Sequence, residues 1–236
     1  MIGPRIPERY DEKDHPQGNL VGEEVVGVYN VLQKQLRDQG LLPTERMIAY
    51  GLTYGTGLEI GPGAGYVGLE WLKNTKDTTL YWLEISEDMN RVAVKNAKDY
   101  GVEERIESVI SDATKRFPFS DDFFDSVFTN NSLHEWDEPE KVFCEIHRVL
   151  KNGGKYFISD LKRNIKPEMI SLMKENFPKD ETIIKKLDRG LMKSIEASYL
   201  KEELMQILSK TGLENRIIKE DPTGLIIVGT KNCNEV

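Results

Sequence analysis

Cysteine is almost absent from this chain. Only Cys144 and Cys233 occur in 236 residues, far apart and without a CxxC spacing. Such usage supports neither a disulfide framework nor a zinc site and fits a reducing, cytoplasmic setting. Histidine is also scarce, at three residues, and long apolar runs are missing. No stretch reaches the length of a membrane span, and the Pro-, Gly- and charge-rich segment from Met1 to Asn19 lacks the apolar core of a signal peptide, so neither export nor a membrane partner is expected. Positive charge is in deficit: Lys+Arg 32 against Asp+Glu 40 leaves a net charge of -8. That balance repels a phosphate backbone unless basic side chains gather on one face, which disfavours long nucleic acids. Internal repeats and low-complexity tracts are absent too, and the length suits one large α/β domain with a single substantial core.

What the chain does have is a glycine-rich break after an apolar run, Leu58-Glu59-Ile60-Gly61-Pro62-Gly63-Ala64-Gly65. It reads as a buried strand ending in a tight turn where a ligand lies against the backbone, because glycine tolerates positive φ and the N–H groups opening the next helix form a positive pole. Gly63-Ala64-Gly65-Tyr66-Val67-Gly68 also satisfies the dinucleotide spelling, with acidic Glu84 downstream. Glu59 breaks the tie. Its carboxylate, two residues before Gly61, would crowd a pyrophosphate and favour a ligand with an ammonium and a sulfonium, which describes S-adenosylmethionine.

From Thr56 onward strand-like runs (57–60, 78–84, 105–110, 123–129, 154–160) alternate with helical patterns, the signature of a parallel sheet. Ser86 ahead of Glu87-Asp88 and Glu138-Pro139 mark helix starts, and Gly153-Gly154 is read as the stop after a helix over 139–150. Val21, Val25, Val28, Leu32 and Leu36 predict an amphipathic helix over 20–39 closed by Gly40, whereas Arg5 to Gly18 shows no periodicity and reads as a mobile arm. Helical pieces at 168–176 and 181–191 interrupt the alternation. A helix over 199–210 and strands at 214–219 and 223–230 around Asp221-Pro222-Thr223-Gly224 close the chain.

Taken in order, Glu59 to Gly65, Tyr81-Trp82-Leu83-Glu84-Ile85-Ser86, Ser111-Asp112-Ala113, Phe123 to Asn130 and Ile146 to Lys155 resemble the successive motifs of the class I S-adenosylmethionine-dependent methyltransferases, small-molecule branch. The resemblance covers roughly 45–231. It implies a Rossmann-like, doubly wound, mostly parallel seven-stranded sheet with an antiparallel last strand. It also implies an arm and helix over 1–44 acting as a lid, and a methyltransferase domain over 45–236 carrying a helical cap insertion at 162–197. Cofactor contacts follow residue by residue: the turn at Gly61, Gly63 and Gly65; Glu59 toward the methionyl ammonium; Glu84, with Ile85 beside it, toward the ribose; Asp112 and Ala113 toward the adenine; and Asn130 toward the methionine part. Each has a plain structural alternative, a strand-end charge for Glu59, an Asx-type cap for Asp112 and a turn cap for Asn130.

His134 is the candidate base if the acceptor carries a proton that must leave, since an unperturbed imidazole titrates near neutral pH; a loop histidine bonding backbone is the alternative. Asp160 could bind substrate or cap. His147 and Cys144 read as structural, His15 lies in the arm, and Tyr10, Tyr29 and Tyr66 could wall the pocket. After Thr129-Asn130 there is no Asn/Asp-Pro-Pro-aromatic quartet, which argues against base or glutamine amino groups as acceptors and leaves a small-molecule substrate. Three alternatives stay open: an RNA or protein methyltransferase using the basic Lys162-Arg163, Lys166, Lys185-Lys186 and Arg189; an NAD-dependent oxidoreductase; and a noncatalytic cofactor-binding partner. Oligomeric state is not readable.

Overall fold

The computed structural model describes residues 2–7, 23–213 and 216–232. Tyr10, His15, Val21 and Cys233 lie outside the described residues. Seven strands form one sheet: β1 (Gly55–Ile60), β2 (Thr78–Glu84), β3 (Ile106–Ile110), β4 (Phe124–Asn130), β5 (Leu150–Leu161), β6 (Arg216–Glu220) and β7 (Gly224–Thr230). Their order is β3-β2-β1-β4-β5-β7-β6. β1 to β5 pair in parallel, and β7 runs antiparallel to both β5 and β6, so the expected fold class is the one found. The order reverses at β1, whose neighbours are β2 and β4, and this opens a crevice at the strands' carboxyl ends where open α/β sheets bind ligands.

The helices are α1 (Glu23–Asp38), α2 (Thr44–Ala49), α3 (Tyr66–Lys73), α4 (Glu87–Tyr100), α5 (Pro139–Val149), α6 (Pro167–Lys174), α7 (Glu181–Ala197) and α8 (Lys201–Leu208). Ser86 caps α4 as its sequence suggested, its Oγ accepting from Met89 N–H at 3.3 Å. Gly40, at φ 69°, ends α1, its N–H donating to Arg37 O while Leu41 N–H donates to Leu36 O.

Strand alternation sends successive side chains to opposite faces and builds two cores. Leu58, Ile60 and Val127 pack with Phe143, Ile146 and Leu204 of α5 and α8 on one face. On the other, Leu80, Trp82 and Phe128 pack with Leu69 and Trp71 of α3 and with Met47 of α2. A third, smaller cluster joins α1 to the insertion, with Val28 and Leu32 against Phe177, Ile183, Leu187 and Leu191.

Three elements differ from expectation. The short helix α2 carries no periodic signal, being held by burial of Thr44 and Met47. α7 runs through Gly190 to Ala197 because its partners are tertiary. Gly153-Gly154 is not a stop before the fifth strand but lies within it. Leu150 pairs with Phe124, the register then shifts, and the chain passes through Gly153 at φ 79° before Lys155 pairs with Ser126.

Candidate functional site

The carboxyl ends of β1, β2, β4 and β5 form the floor of a cavity of about 660 Å³, and α1, α6 and α7 form its roof. Gly61 and Gly63, at φ 62° and 55°, line it. Both need glycine twice over: besides the positive φ, a Cβ on Gly61 would sit 2.5 Å from Ser132 Oγ, and one on Gly63 would sit 3.1 Å from the Tyr29 ring. Gly65 does not reach the wall. It is the residue before α3, packed beneath Trp82, so its contribution to the turn is structural.

Glu84 ends β2 on the cavity wall and is buried. Its Oε2 accepts from Gly63 N–H at 3.0 Å and its Oε1 from Ser86 N–H at 2.9 Å, so one carboxylate ties the glycine turn to the start of α4. Burial pushes this carboxyl up, while the backbone donors Ser86, Gly63 and Ile85 oppose the shift. Beside it Ile85 exposes 40% of its surface, an apolar face turned toward the cavity rim. Asp112 and Ala113 follow β3 on the same wall. Asp112 Oδ1 accepts from Thr114 N–H at 2.8 Å and from Thr114 Oγ1 at 2.7 Å. The Asx-type turn is therefore present, and its side chain still borders the cavity. Asn130 ends β4 on the wall, its Oδ1 accepting from Ser159 Oγ at 2.6 Å, and Asn131 beyond it holds a left-handed φ of 54°.

Glu59 is the correction among the expected contacts. Leu58 and Ile60 point to one face of the sheet, so Glu59 points to the other, away from the cavity and into the core beneath α3. It is 2% exposed, and its Oε2 accepts from Trp82 Nε1 at 2.8 Å. Burial among apolar side chains pushes its carboxyl up to about 8 against the opposing donors Trp82 and Gly68 N–H. A carboxyl buried on the far side of the sheet and held by Trp82 does not reach the cavity, so the charge argument built on this residue loses its footing.

His134 lies in a 3-10 turn, Leu133–Glu135, between β4 and α5, and it is buried on the cavity wall. Asp160, at the end of β5, holds it twice: Oδ2 accepts from the His134 backbone N–H at 2.6 Å, and Oδ1 pairs with Nδ1 at 2.8 Å. Opposite a carboxylate, Nδ1 is the ring nitrogen that carries the hydrogen. Tyr29 of α1 also lines the cavity, its hydroxyl accepting from Gln33 at 2.9 Å. Burial first, then the negative field of Glu135, Glu84 and Asp160, pushes its phenol far up, so it remains protonated.

Tyr66 is not on the wall but packs edge-on against Tyr100 beneath Arg37. His147 packs against Gly212, and Cys144, expected as packing, is exposed on α5. Sequence reasoning missed Gln33, Ser132 and the roof residues Phe177 and Leu187. The apolar stripe of α1 was visible, but nothing local said that Val28, Leu32 and Leu36 face a cavity closed by a segment about 150 residues away. The basic look of the insertion also dissolves in part, since Lys162 pairs with Glu220 at 2.8 Å and Arg163 with Glu203 at 2.6 Å. Among the described residues no helix is long and apolar enough to cross a membrane.

Residues 58–158 match a family described as "Methyltransferase domain". The uncharacterized methyltransferase YdaC of Bacillus subtilis is 34% identical over 110 residues, 46% of this chain and 58% of that protein. The sarcosine/dimethylglycine N-methyltransferase of Halorhodospira halochloris is 30% identical over 142 residues, 59% of this chain and 50% of its own. The chain thus spans about half the length of these relatives. A solved SAM-dependent methyltransferase from Aquifex aeolicus shares the fold at a TM-score of 0.63 and 22% identity, over 80% of this chain and 89% of its own.

Proposed function

We propose that the chain is a class I S-adenosylmethionine-dependent methyltransferase that transfers a methyl group from S-adenosylmethionine to a small-molecule acceptor, a reading supported by the methyltransferase-domain match over 58–158 and by the YdaC relative. The observation that carries this reading is the meeting of Glu84, Asp112, Gly61, Gly63 and Asn130 with the His134–Asp160 pair around one cavity.

The donor set fits the cofactor. Glu84 offers a buried carboxylate that can accept from paired ribose hydroxyls, and the partly exposed Asp112 can accept from an adenine amino group. Gly61 and Gly63 keep the turn bare so that a ligand can lie against it. The volume also falls within the roughly 300–1,000 Å³ of small-molecule sites. Bound there, S-adenosylmethionine supplies an already activated methyl on a sulfonium. The chain's own task is to orient the acceptor and exclude water, and positioning of this kind can lower a barrier by up to ~7–11 kcal/mol. Where the acceptor's nucleophile carries a proton, His134 accepts it at Nε2, with Asp160 holding the ring and stabilising its cationic form.

A small acceptor is supported by the roof, where Val28 and Leu32 of α1 meet Phe177 and Leu187 above part of the site. The pairing of Lys162 and Arg163 points the same way. By its name the Halorhodospira relative methylates small amines, which agrees with this class. We read residues 1–44 as the lid and 162–197 as the cap of that acceptor side.

Calorimetric titration tests the reading: S-adenosylhomocysteine should bind and NAD should not. Glu84→Ala should weaken the first by roughly 10- to 100-fold through loss of charge-assisted hydrogen bonds. Binding of NAD alone, or full affinity in the variant, would overturn it.

A further inference from the structure

Residues 2–7 have no regular structure, and burial of apolar surface does not hold them, since Ile2 and Ile6 expose 53% and 58% of their surfaces. One side chain does. Arg5 donates from Nε to Ala197 O at 2.5 Å, and from Nη2 to His134 O at 2.8 Å and Trp136 O at 3.4 Å. Its guanidinium lies 4.2 Å from the centroid of the Tyr199 ring, whose hydroxyl donates to the same Trp136 carbonyl at 3.0 Å. Next to it Ile6 N–H donates to Glu196 O at 3.1 Å.

These partners are chemically specific. Ala197 is the last residue of α7, a helix with no basic residue in its final turn. Carbonyls at a helix's carboxyl end lack intrahelical donors and carry the negative pole, so Arg5 and Ile6 N–H satisfy what α7 cannot satisfy itself. The other arm of the guanidinium reaches the carbonyls on either side of Glu135, in the turn that carries His134. A planar, permanently charged fork can bridge two such groups at fixed geometry, which a single ammonium on a flexible stem cannot do.

We infer that Arg5 is a positioning residue for His134, clamping the turn that bears the imidazole to the carboxyl end of the roof helix α7. The inference rests on the reading of His134 as the proton acceptor. Asp160 grips the histidine from the floor through Nδ1 and the backbone N–H. Arg5 grips the same residue's carbonyl from the roof side. With both anchors in place, the ring is fixed on the cavity wall rather than free to follow its short turn. Arg5 touches neither the glycine turn nor Glu84, so cofactor affinity should be independent of it.

Only three histidines occur in the chain, so imidazole nitrogen resonances resolve and a His134→Asn variant assigns the one that matters. In the intact protein His134 should give one sharp signal set with hydrogen on Nδ1. In Arg5→Ala that set should shift and broaden while S-adenosylhomocysteine affinity stays unchanged. Arg5→Lys keeps the charge but not the fork and should remain perturbed; it carries the same test if the alanine variant does not fold. Asp180→Ala loosens α7 from its other end by removing the cap on Thr182 and Ile183 N–H, and it should leave His134 untouched. An unchanged His134 spectrum in a folded Arg5 variant, or the same change in Asp180→Ala, would overturn the inference. If the intact protein binds no S-adenosylhomocysteine, the reading of the site fails separately, and the His134 spectra still decide whether Arg5 positions the ring.

Discussion

Glu59 and Glu84 are both buried carboxylates at the ends of adjacent strands, yet they face different surroundings. Glu84 has three backbone N–H donors and borders the cavity. Glu59 has an indole and one backbone donor inside an apolar layer. A Gly-rich motif announces that a turn follows the strand but not which face the preceding side chain takes; one residue of register decides that, which is why the place of Glu84 at the cavity wall was legible and the burial of Glu59 in the core was not. The difference has a measurable consequence. Burial pushes the carboxyl of Glu59 in the folded chain up to about 8, well above the ordinary carboxylate range that it keeps in the unfolded chain. Between these values the unfolded chain has lost a proton that the folded chain keeps, so stability falls as pH rises through that window and levels off above it. Glu59→Gln removes the titration while keeping the size. Thermal melts of both proteins from pH 5 to 9 should show the native protein losing stability relative to the variant up to about pH 8. Parallel curves would mean that Glu59 is ionised inside the fold.

At the scale of elements, the strands and most helices were readable because apolar runs and caps are local. Ser86 and Gly40 did what such residues do at helix ends. The strand order, the bulge at Gly153 and the length of α7 were not readable, because partners far along the chain determine them. The roof shows this best. Val28 and Leu32 of α1 meet Phe177, Leu187 and Leu191, forming a small cluster separate from the two main cores. A unit with so few buried contacts should open on its own. Leu187→Ala truncates its centre at a cost of about 2 kcal/mol, the low end for buried leucines, and roughly 30-fold faster local exchange follows from that figure. Hydrogen exchange should therefore accelerate over α1 and α7 and stay nearly constant over β1, β4 and β5. Equal acceleration of the sheet would show that roof and sheet form one cooperative body.

For the whole molecule, the cavity lies between a sheet buried on both faces and that lightly held roof, so a ligand filling it joins the least stable part to the most stable. Binding to the folded state alone stabilises by RT ln(1 + [L]/Kd), about 2.7 kcal/mol at a hundredfold excess over Kd. For a chain of 236 residues each kcal/mol moves the melting midpoint by roughly 2–4 °C, so S-adenosylhomocysteine at that excess should raise it by about 5–10 °C. The gain should not be uniform. Protection from hydrogen exchange should rise most in α1 and α7, whose openings the ligand must suppress, and least in strands that already open only with global unfolding. The same melt with NAD separates cofactor classes without relying on Glu59, whose buried position removed the electrostatic argument against a dinucleotide. An equal shift with NAD would return the glycine turn to the dinucleotide reading. A shift with S-adenosylhomocysteine that left α1 and α7 unprotected would place the ligand outside the cavity under the roof.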